Sequence, residues 1–253
     1  MGKLFEEKVA LVTGGSSGIG RAAAIAFARE GAKVVVGDIL KKEGQETISL
    51  IHQEGGEGIF VQTDVSKAKE VETLIQTCIQ TYGRLDCAFN NAGIEGAIAP
   101  TADCTEENWD RVIAINLKGQ WLCMKYEIPQ MLKQGKGAIV NMASVAGLVA
   151  VQGLPAYCAS KGGIIQLTRA AALEYAKAGI RINVVCPGLI ETPLAERVIN
   201  FIPEYGAQVI AGHPIGRMGL PKEVAEAVVW LCSDAASFVT GHALAIDGGY
   251  VAQ

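Results

Sequence analysis

Seven short apolar runs rich in β-branched residues alternate with longer amphipathic stretches, and this alternation constrains the fold more than any other feature of the sequence. The runs begin at residues 8, 33, 58, 85, 137, 180 and 242. The stretches between them have the apolar period and length of helices, at 18–30, 41–54, 67–82, 105–132, 156–178 and 222–234. Strands that alternate with helices favour a parallel sheet covered on both faces. We therefore predict one α/β domain over residues 1–253, a Rossmann-type doubly wound fold with a seven-stranded parallel sheet.

Composition and charge exclude several classes of partner. The formal net charge of −4 provides no basic field for nucleic acid. The N-terminal segment MGKLFEEK has acidic residues where a signal peptide would be apolar, and no segment reaches the ~18 apolar residues of a membrane span. We expect a cytoplasmic protein that contacts neither nucleic acid nor membrane. The seven cysteines include no Cys-x-x-Cys pair and the three histidines fit no metal or triad spacing, so we predict reduced core thiols and no metal.

The segment TGGSSGIG, residues 13–20, follows the first strand and opens the first helix. Gly14, Gly18 and Gly20 leave room for a pyrophosphate at the helix N-terminus. Asp38 ends the second strand, where a carboxylate can accept hydrogen bonds from a ribose diol and repel a 2′-phosphate. Ile39 follows it instead of an arginine or lysine, although Lys41 and Lys42 are close in sequence. The sequence favours NAD over NADP.

Tyr157 and Lys161 lie four residues apart in a predicted helix, which places them on one face. Taken alone, the pair would fit a surface helix with its lysine extended toward solvent. Gly162 and Gly163 follow, at a cost of about 1 kcal/mol each relative to alanine in a helix interior. Close approach of another backbone, from a neighbouring subunit or from the chain's own sheet, would offset that cost.

The ordered set of motifs resembles the short-chain dehydrogenase/reductase family. The set consists of TGGSSGIG at 13–20, Asp64-Val65, NNAG at 90–93, Asn116, Ser144, Tyr157-x-x-x-Lys161 and Pro187-Gly188. The resemblance runs end to end. The segments HPIGRMGLPKEVA at 213–225 and TGHALAIDGG at 240–249 resemble the family's bacterial oxidoreductase branch. It implies hydride transfer between NAD(H) and an alcohol or ketone. It also implies a homotetramer in which the tyrosine-bearing helix packs against its copy.

The resemblance implies four catalytic residues. Tyr157 would be the general base, and its pKa must fall from about 10 toward about 7 with the help of Lys161 and the positive nicotinamide ring. Ser144 would bind the substrate oxygen, and Lys161 would also hold the nicotinamide ribose. Asn116 would carry a water that links Lys161 to solvent.

The resemblance also implies the cofactor contacts. Asp64 and Val65 would border the adenine, while Ile190 and Thr192 would meet the carboxamide. Thr192 precedes Pro193 and is also a candidate helix N-cap. The predicted cofactor-binding residues are Gly14, Ser16, Ser17, Gly18, Ile19, Gly20, Asp38, Ile39, Asp64, Val65, Asn91, Ala92, Gly93, Tyr157, Lys161, Pro187, Gly188, Ile190 and Thr192.

Substrate contacts are expected in the loops around the catalytic residues. The lining is largely apolar, which favours a small to medium hydrophobic or alicyclic secondary alcohol or ketone. Glu95 could meet a second polar group or remain a solvated rim carboxylate. Residues 189–212 are predicted to form a lid that closes over nicotinamide and substrate. The predicted substrate residues are Glu95, Ser144, Gln152, Leu154, Tyr157 and Leu189, with further candidate walls at Gly96, Ile98, Val145, Val149, Val151, Leu194, Phe201 and Ile202.

Three functions follow from these observations. The favoured one is an NAD-dependent secondary-alcohol dehydrogenase. The alternative is an NADPH-dependent 3-oxoacyl-thioester reductase, which a basic patch near the lid would favour, but Arg197 is the only arginine or lysine between residues 182 and 216. The third is a non-catalytic dinucleotide-sensing protein, which we would expect to lack Tyr157 or Lys161.

Overall fold

The computed structural model describes residues 3–196 and 210–253, and in this part of the chain a single parallel sheet organises the fold. Its seven strands lie in the order β3-β2-β1-β4-β5-β6-β7, and every neighbouring pair is parallel. The order reverses between β1 and β4, which confirms the predicted doubly wound sheet. The strands are β1 Val9–Thr13, β2 Lys33–Asp38, β3 Glu57–Gln62, β4 Cys87–Asn90, β5 Gly137–Met142, β6 Ile180–Pro187 and β7 Ala243–Ile246.

Helices follow the strands in the predicted alternation. The α-helices are α1 Gly18–Arg29, α2 Lys41–Gln53, α3 Ala68–Tyr82, α4 Glu106–Val112, α5 Gly119–Gln134, α6 Pro155–Tyr175 and α7 Pro221–Cys232. Short 3₁₀ turns occupy Thr101–Asp103, Val145–Gly147, Ala176–Ala178, Asp234–Ala236 and Tyr250–Ala252. Residues 193–196 are also helical. Within the two described ranges, no helix is long and apolar enough to cross a membrane.

Alternate residues of each strand enter different cores, because successive side chains of a strand point to opposite faces. Ala10 and Val12 of β1 pack in the same cluster as Phe27 of α1. Val9 and Leu11 belong to the cluster on the other face, which includes residues of α3 and α5. Both faces of β1 are therefore buried, which explains why its sequence is continuously apolar rather than alternating.

The predicted helix over 105–132 is wrong in one respect, because the structure interrupts it. A π-helical segment, Ile113–Lys118, joins α4 to α5, and the N–H of Gly119 bonds the carbonyl of Ala114 five residues earlier. The apolar period continues on both sides, so the sequence pattern does not reveal the extra residue in this turn. Asn116 lies in the π-helical segment and is fully buried. Such segments occur frequently at functional sites.

All seven cysteines are free thiols. Five of them are buried, in agreement with the prediction of reduced core residues, while Cys104 and Cys158 are partly exposed. Burial raises the pKa of the Cys78 thiol to about 12, and the charges of Glu127 and Asp86 add to the rise. That thiol therefore stays protonated and behaves as a small apolar group.

Candidate active site

A cavity of about 720 Å³ runs along the carboxyl ends of the parallel strands. This is the edge where ligands bind in open α/β sheets, at the point where the strand order reverses. Most of the residues expected to bind cofactor or substrate line this cleft. They are Gly14, Ser17, Gly18, Ile19, Asp38, Ile39, Asp64, Val65, Asn91, Ala92, Gly93, Ser144, Leu154, Tyr157, Lys161, Pro187, Gly188, Leu189, Ile190 and Thr192.

The glycine loop between β1 and α1 is packed so closely that side chains would not fit. A Cβ atom at Gly20 would overlap the carbonyl oxygen of Gly14. Gly14 itself has φ +65°, and a Cβ there would lie 2.8 Å from the Cα of Ala92. The side chain of Asn91 donates hydrogen bonds of 3.0 Å to the carbonyls of Thr13 and Gly14, so the end of β4 holds the loop. These contacts keep the mouth of the cleft open beside the N-terminus of α1, where an anion such as a pyrophosphate would bind.

Asp38 is fixed at the rim of the cleft by two main-chain hydrogen bonds. Its Oδ2 accepts from the N–H of Ser16 and its Oδ1 from the N–H of Leu40, each at 3.0 Å. A carboxylate can accept about four hydrogen bonds, so acceptor capacity remains for a ribose diol. Ser16 does not line the cavity, contrary to the prediction. It is fully buried and its hydroxyl donates to the carbonyl of Leu40, so it supports the loop instead.

Asp64 and Val65 lie on the wall of the cleft after β3. Burial acts to raise the pKa of Asp64, but hydrogen bonds from Ser66 and the charge of Lys67 outweigh it and lower the pKa. Asp64 therefore remains a carboxylate that organises its own turn. Val65 packs closely against Gly119 in the first turn of α5. A Cβ added at Gly119 would lie 2.9 Å from the Cγ2 atom of Val65.

Ser144, Tyr157 and Lys161 meet at the inner end of the cleft. Ser144 precedes the turn Val145–Gly147, and its Oγ accepts from the N–H of Ala146 at 3.1 Å. Tyr157 and Lys161 share one face of α6, and the Lys161 Nζ lies 5.4 Å from the centroid of the Tyr157 ring. Lys161 is only 2% exposed, and its Nζ donates to the carbonyl of Met142 at 2.9 Å.

Burial disfavours the charged form of both the phenol and the amine. It raises the pKa of Tyr157 to about 12; the hydrogen bond from Ser144 acts in the opposite direction and the charge of Glu95 adds to the rise. Burial lowers the pKa of Lys161 to about 8, against a smaller opposite effect of Cys186. The chain's own groups therefore keep Tyr157 protonated at neutral pH, and Lys161 remains mostly charged beside it.

Asn116 lies behind this group and does not line the cleft. Its Nδ2 donates to the carbonyl of Ile94 at 2.8 Å and to the Ser160 hydroxyl at 3.1 Å. Its Oδ1 accepts from the N–H of Ile94 at 2.8 Å. Both N–H groups of the amide are thus used to join the loop after β4 to α6. A water linked to Lys161 would have to bond the remaining lone pair of Oδ1 or a main-chain group.

The two glycines after Lys161 have different explanations. A Cβ at Gly163 would lie 2.9 Å from Cδ2 of Leu117 in the π-helical segment, so packing within the chain accounts for this glycine. A Cβ at Gly162 would have the Gly147 carbonyl oxygen as its nearest neighbour, at 3.9 Å, which is ordinary contact. Within the described ranges nothing requires glycine at position 162.

Several residues of the cleft were not predicted. The histidine spacing gave His213 no role in the site, yet it lines the cavity, and its ring packs against Tyr250 with centroids 4.8 Å apart. Its Nε2 accepts from the N–H of Leu189 at 3.1 Å. Arg111 of α4 and Ile115 of the π-helical segment also line the cavity. The histidine opens the family-like segment HPIGRMG, which was the available signal, whereas nothing local marked Tyr250.

Two predicted substrate residues lie outside the lining of the cleft. Gln152 is exposed, and the charge of Glu95 adds to the rise in the pKa of Tyr157. Both lie in loops whose course the sheet does not constrain. Gly20 likewise supports the loop from behind rather than lining the cavity. Phe201 and Ile202 lie outside the described residues.

The first residues of the predicted lid are tied to the segment after residue 212. Ile190 pairs with Gly219, and the carbonyl of Leu189 accepts from the N–H of Gly219 at 2.9 Å. Thr192 is a helix N-cap, as the sequence suggested, since its Oγ1 accepts from the N–H of Ala195 at 3.2 Å. The lid over 189–212 remains a prediction, because residues 197–209 are outside the described part of the chain.

The fold and this constellation define a class of protein, an oxidoreductase built on a dinucleotide-binding sheet. A family model described as enoyl-(acyl carrier protein) reductase matches residues 14–251. The chain belongs to the short-chain dehydrogenase/reductase family and is an enzyme of its type, which acts on CH–OH groups with a nicotinamide dinucleotide.

Characterised relatives align over nearly the whole chain. The chain is 44% identical to cyclohexanol dehydrogenase of Acinetobacter sp. (strain SE19), covering all of this chain and 98% of the relative. It is 44% identical to cis-4-hydroxycyclohexanecarboxylate dehydrogenase of Sinomonas cyclohexanicum, covering all of both chains. A 3-oxoacyl-[acyl-carrier-protein] reductase of Thermotoga maritima is 40% identical, covering 98% of this chain and 99% of the relative.

Solved structures agree with the fold. Levodione reductase superposes with a TM-score of 0.95 at 38% identity, covering 98% of this chain and 99% of the other. An NAD⁺-bound xylitol dehydrogenase superposes with a TM-score of 0.94 at 34% identity, covering 97% of this chain and 99% of the other.

Proposed function

We propose that this enzyme is an NAD-dependent dehydrogenase of small to medium alicyclic secondary alcohols. One observation carries the proposal: Ser144, Tyr157 and Lys161 converge at the inner end of a cleft whose walls are mostly aliphatic. A secondary alcohol bound against these walls would have its carbinol carbon close to the Tyr157 phenol and to a hydride acceptor held in the cleft. The retention of both Tyr157 and Lys161 speaks against a non-catalytic sensor.

Each of the three residues has a distinct task in this proposal. Once ionised to the phenolate, Tyr157 takes the proton of the substrate hydroxyl as the substrate carbon loses hydride, and Ser144 donates a hydrogen bond to the same oxygen. A nicotinamide ring held in the cleft would supply the hydride acceptor and, in its oxidised form, a positive charge. Lys161 holds its ammonium beside the phenol, so the phenolate gains a favourable charge that burial alone denies it.

The choice of NAD rests on Asp38. Its carboxylate is held at the rim of the cleft by Ser16 and Leu40, where a 2′-phosphate would meet a fixed negative charge. Ile39 and Leu40 follow it on the cleft wall, and neither offers a cation to a phosphate. An NAD⁺-bound relative of similar fold agrees with this choice.

The alicyclic substrate class rests on the walls around Tyr157. Val145, Val151, Leu154, Leu189 and Leu194 line the cavity there and offer no charge. An uncharged ring would bury its carbons against them at a gain of about 0.8 kcal/mol per methylene group. Relatives named for cyclohexanol and for a hydroxycyclohexanecarboxylate support this class.

A 3-oxoacyl-thioester reductase is the second candidate. The relative from Thermotoga maritima and the description of the matching family model favour it. It would require NADPH and a long substrate, whereas Asp38 disfavours a 2′-phosphate.

Initial rates with a substrate panel separate the two candidates. We expect oxidation of cyclohexanol and substituted cyclohexanols with NAD, and little reduction of a 3-oxoacyl thioester with NADPH. Tyr157→Phe removes the proton acceptor but keeps the ring, so turnover should fall at least ~10²-fold while NADH affinity, measured by fluorescence, stays nearly the same. Faster thioester reduction than alcohol oxidation would reverse the assignment, and an active Tyr157→Phe enzyme would contradict the mechanism.

A further inference from the structure

The main-chain carbonyl of Met142 receives hydrogen bonds from two side chains. Lys161 Nζ and Gln120 Nε2 both donate to this oxygen, each at 2.9 Å. The pairing of β4 with β5 ends at Asn90 and Asn141, so the carbonyl lies one residue beyond the ladder on that side. The position of the Lys161 ammonium is therefore set by an oxygen that Gln120 also holds.

Gln120 occupies an unusual position for an amide. The residue is 2% exposed, and its Oε1 has no hydrogen-bond partner among residues 3–196 and 210–253. A buried amide oxygen without a partner destabilises the fold, and an apolar side chain of similar length would avoid that cost. The bond to Met142 is the contact that an apolar residue could not supply.

Gln120 also shares a helix face with Asn116. The two residues are four positions apart where the π-helical segment meets α5, so both reach toward α6 and the end of β5. Asn116 donates to the hydroxyl of Ser160, the residue before Lys161. Gln120 donates to the carbonyl that Lys161 binds. The lysine is thus held from two sides by one helix junction.

We propose that Gln120 is a positioning residue for Lys161, acting through the Met142 carbonyl. The proposal rests on the proposed dehydrogenase function. When Gln120 fixes the Met142 carbonyl, the Lys161 ammonium stays near the Tyr157 ring. Its remaining N–H groups are then available to donate to a ligand in the cleft. Without the amide, the carbonyl and the lysine can move together, and a more distant ammonium stabilises the phenolate less. The other titratable groups that act on this pair are Glu95 after β4, Cys158 on α6 and Cys186 on β6.

Gln120→Met tests this role, because methionine keeps the length of the side chain but has no N–H donor. Its matched control is Met124→Leu, a conservative change at a buried position one turn further along α5. We expect Gln120→Met to lower kcat/KM about tenfold and to move the acidic limb of the pH profile for alcohol oxidation, which reports the ionisation of Tyr157, up by about half a pH unit. We also expect weaker NADH affinity, and for Met124→Leu wild-type values in each measurement.

NADH affinity separates failure of this proposal from failure of the proposed function. If the wild-type enzyme oxidises no alcohol, weaker NADH binding by Gln120→Met than by Met124→Leu would still support the role of Gln120. A wild-type pH profile together with wild-type NADH affinity in Gln120→Met would overturn it. If Gln120→Met does not fold, Gln120→Leu serves for the same comparison. Thermal denaturation measures whether a variant is destabilised. A variant that is destabilised but keeps the position of Lys161 would have a lower Tm and the wild-type pH profile.

Discussion

Asp38 shows how one carboxylate can have a structural and a selective role together. Its two oxygens accept from Ser16 and Leu40, and these bonds close the turn after β2 onto the glycine loop. The same bonds fix its charge at the rim of the cleft. An aspartate in this place therefore shapes the site even before any ribose is bound, and substitution affects both roles.

Asp38→Ser should move the preference from NAD toward NADP. The change removes the negative charge that would repel a 2′-phosphate and also removes acceptors for the ribose diol. We expect the ratio of kcat/KM for NAD to that for NADP to fall at least about tenfold, equivalent to about 1.4 kcal/mol. Asp38→Asn is the comparison variant, since it keeps the shape and loses the charge, although one of the two acceptor oxygens becomes an N–H donor. A wild-type enzyme that already prefers NADPH would show that our interpretation of Asp38 is wrong.

At the scale of elements, α5 carries a buried acid that faces the sheet. Glu127 is fully buried, and its Oε2 accepts from the side chain of Asn90 at 3.1 Å. Asn90 also donates to Asn141, which donates to Thr168 of α6 at 2.9 Å, so the network joins two helices to two strands. Burial raises the pKa of Glu127 to about 8, and the hydrogen bond from Asn90 opposes the rise.

This acid should make the free energy of unfolding fall as pH rises. Above its usual pKa of 4.5 the unfolded chain releases the proton of Glu127, whereas the folded chain keeps it until about pH 8. The native state therefore loses stability across this window, at up to about 1.4 kcal/mol per pH unit.

Glu127→Gln removes this titration and keeps the size of the side chain. We expect the Tm of the variant, relative to the wild type, to increase steadily between about pH 5 and pH 8. The control is Glu174→Gln on α6, where the side chain is exposed and the difference should stay constant. The same pH dependence in Glu127→Gln and the wild type would show that Glu127 does not carry this proton.

At the scale of the whole molecule, exposed apolar side chains on α5 and α6 support the expected homotetramer. Leu173 of α6 is 85% exposed and Trp121 of α5 is 43% exposed. Phe238, between α7 and β7, is fully exposed. Contiguous exposed apolar patches mark interfaces, so we expect these three side chains to be covered when copies of the chain assemble. Gly162, which has room for a Cβ in this chain, lies on the same helix as Leu173.

Light scattering after size exclusion measures the assembly directly. We expect a particle about four times the chain mass of 26.6 kDa. Leu173→Glu should lower the measured mass, because it places a charge in the α6 contact, whereas Leu4→Glu at another exposed position should not. A monomeric wild-type protein would refute the tetramer and leave the catalytic assignment intact.

The sequence by itself determined the alternation of strands and helices and most of the residues that line the cleft. The β-branched runs predicted all seven strands of the sheet, since continuous apolar character is typical of strands buried on both faces. The glycine loop, Asp38 and the spacing of Tyr157 and Lys161 predicted most of the cleft, because each lies at a strand end or on one helix face. These signals are local: each pattern can be recognised in a short segment of sequence, whatever other segment packs against it in the fold.

Only the tertiary structure decided how distant segments meet. It brought His213 and Tyr250 into the cleft and kept Gln152 out, because loops beyond the strand ends follow no sequence period. It also showed the π-helical turn that directs Asn116 inward and the Met142 carbonyl that Gln120 and Lys161 share. Such contacts join residues far apart in the chain, and their geometry depends on the packing of α5 and α6 against the sheet rather than on any pattern within either helix.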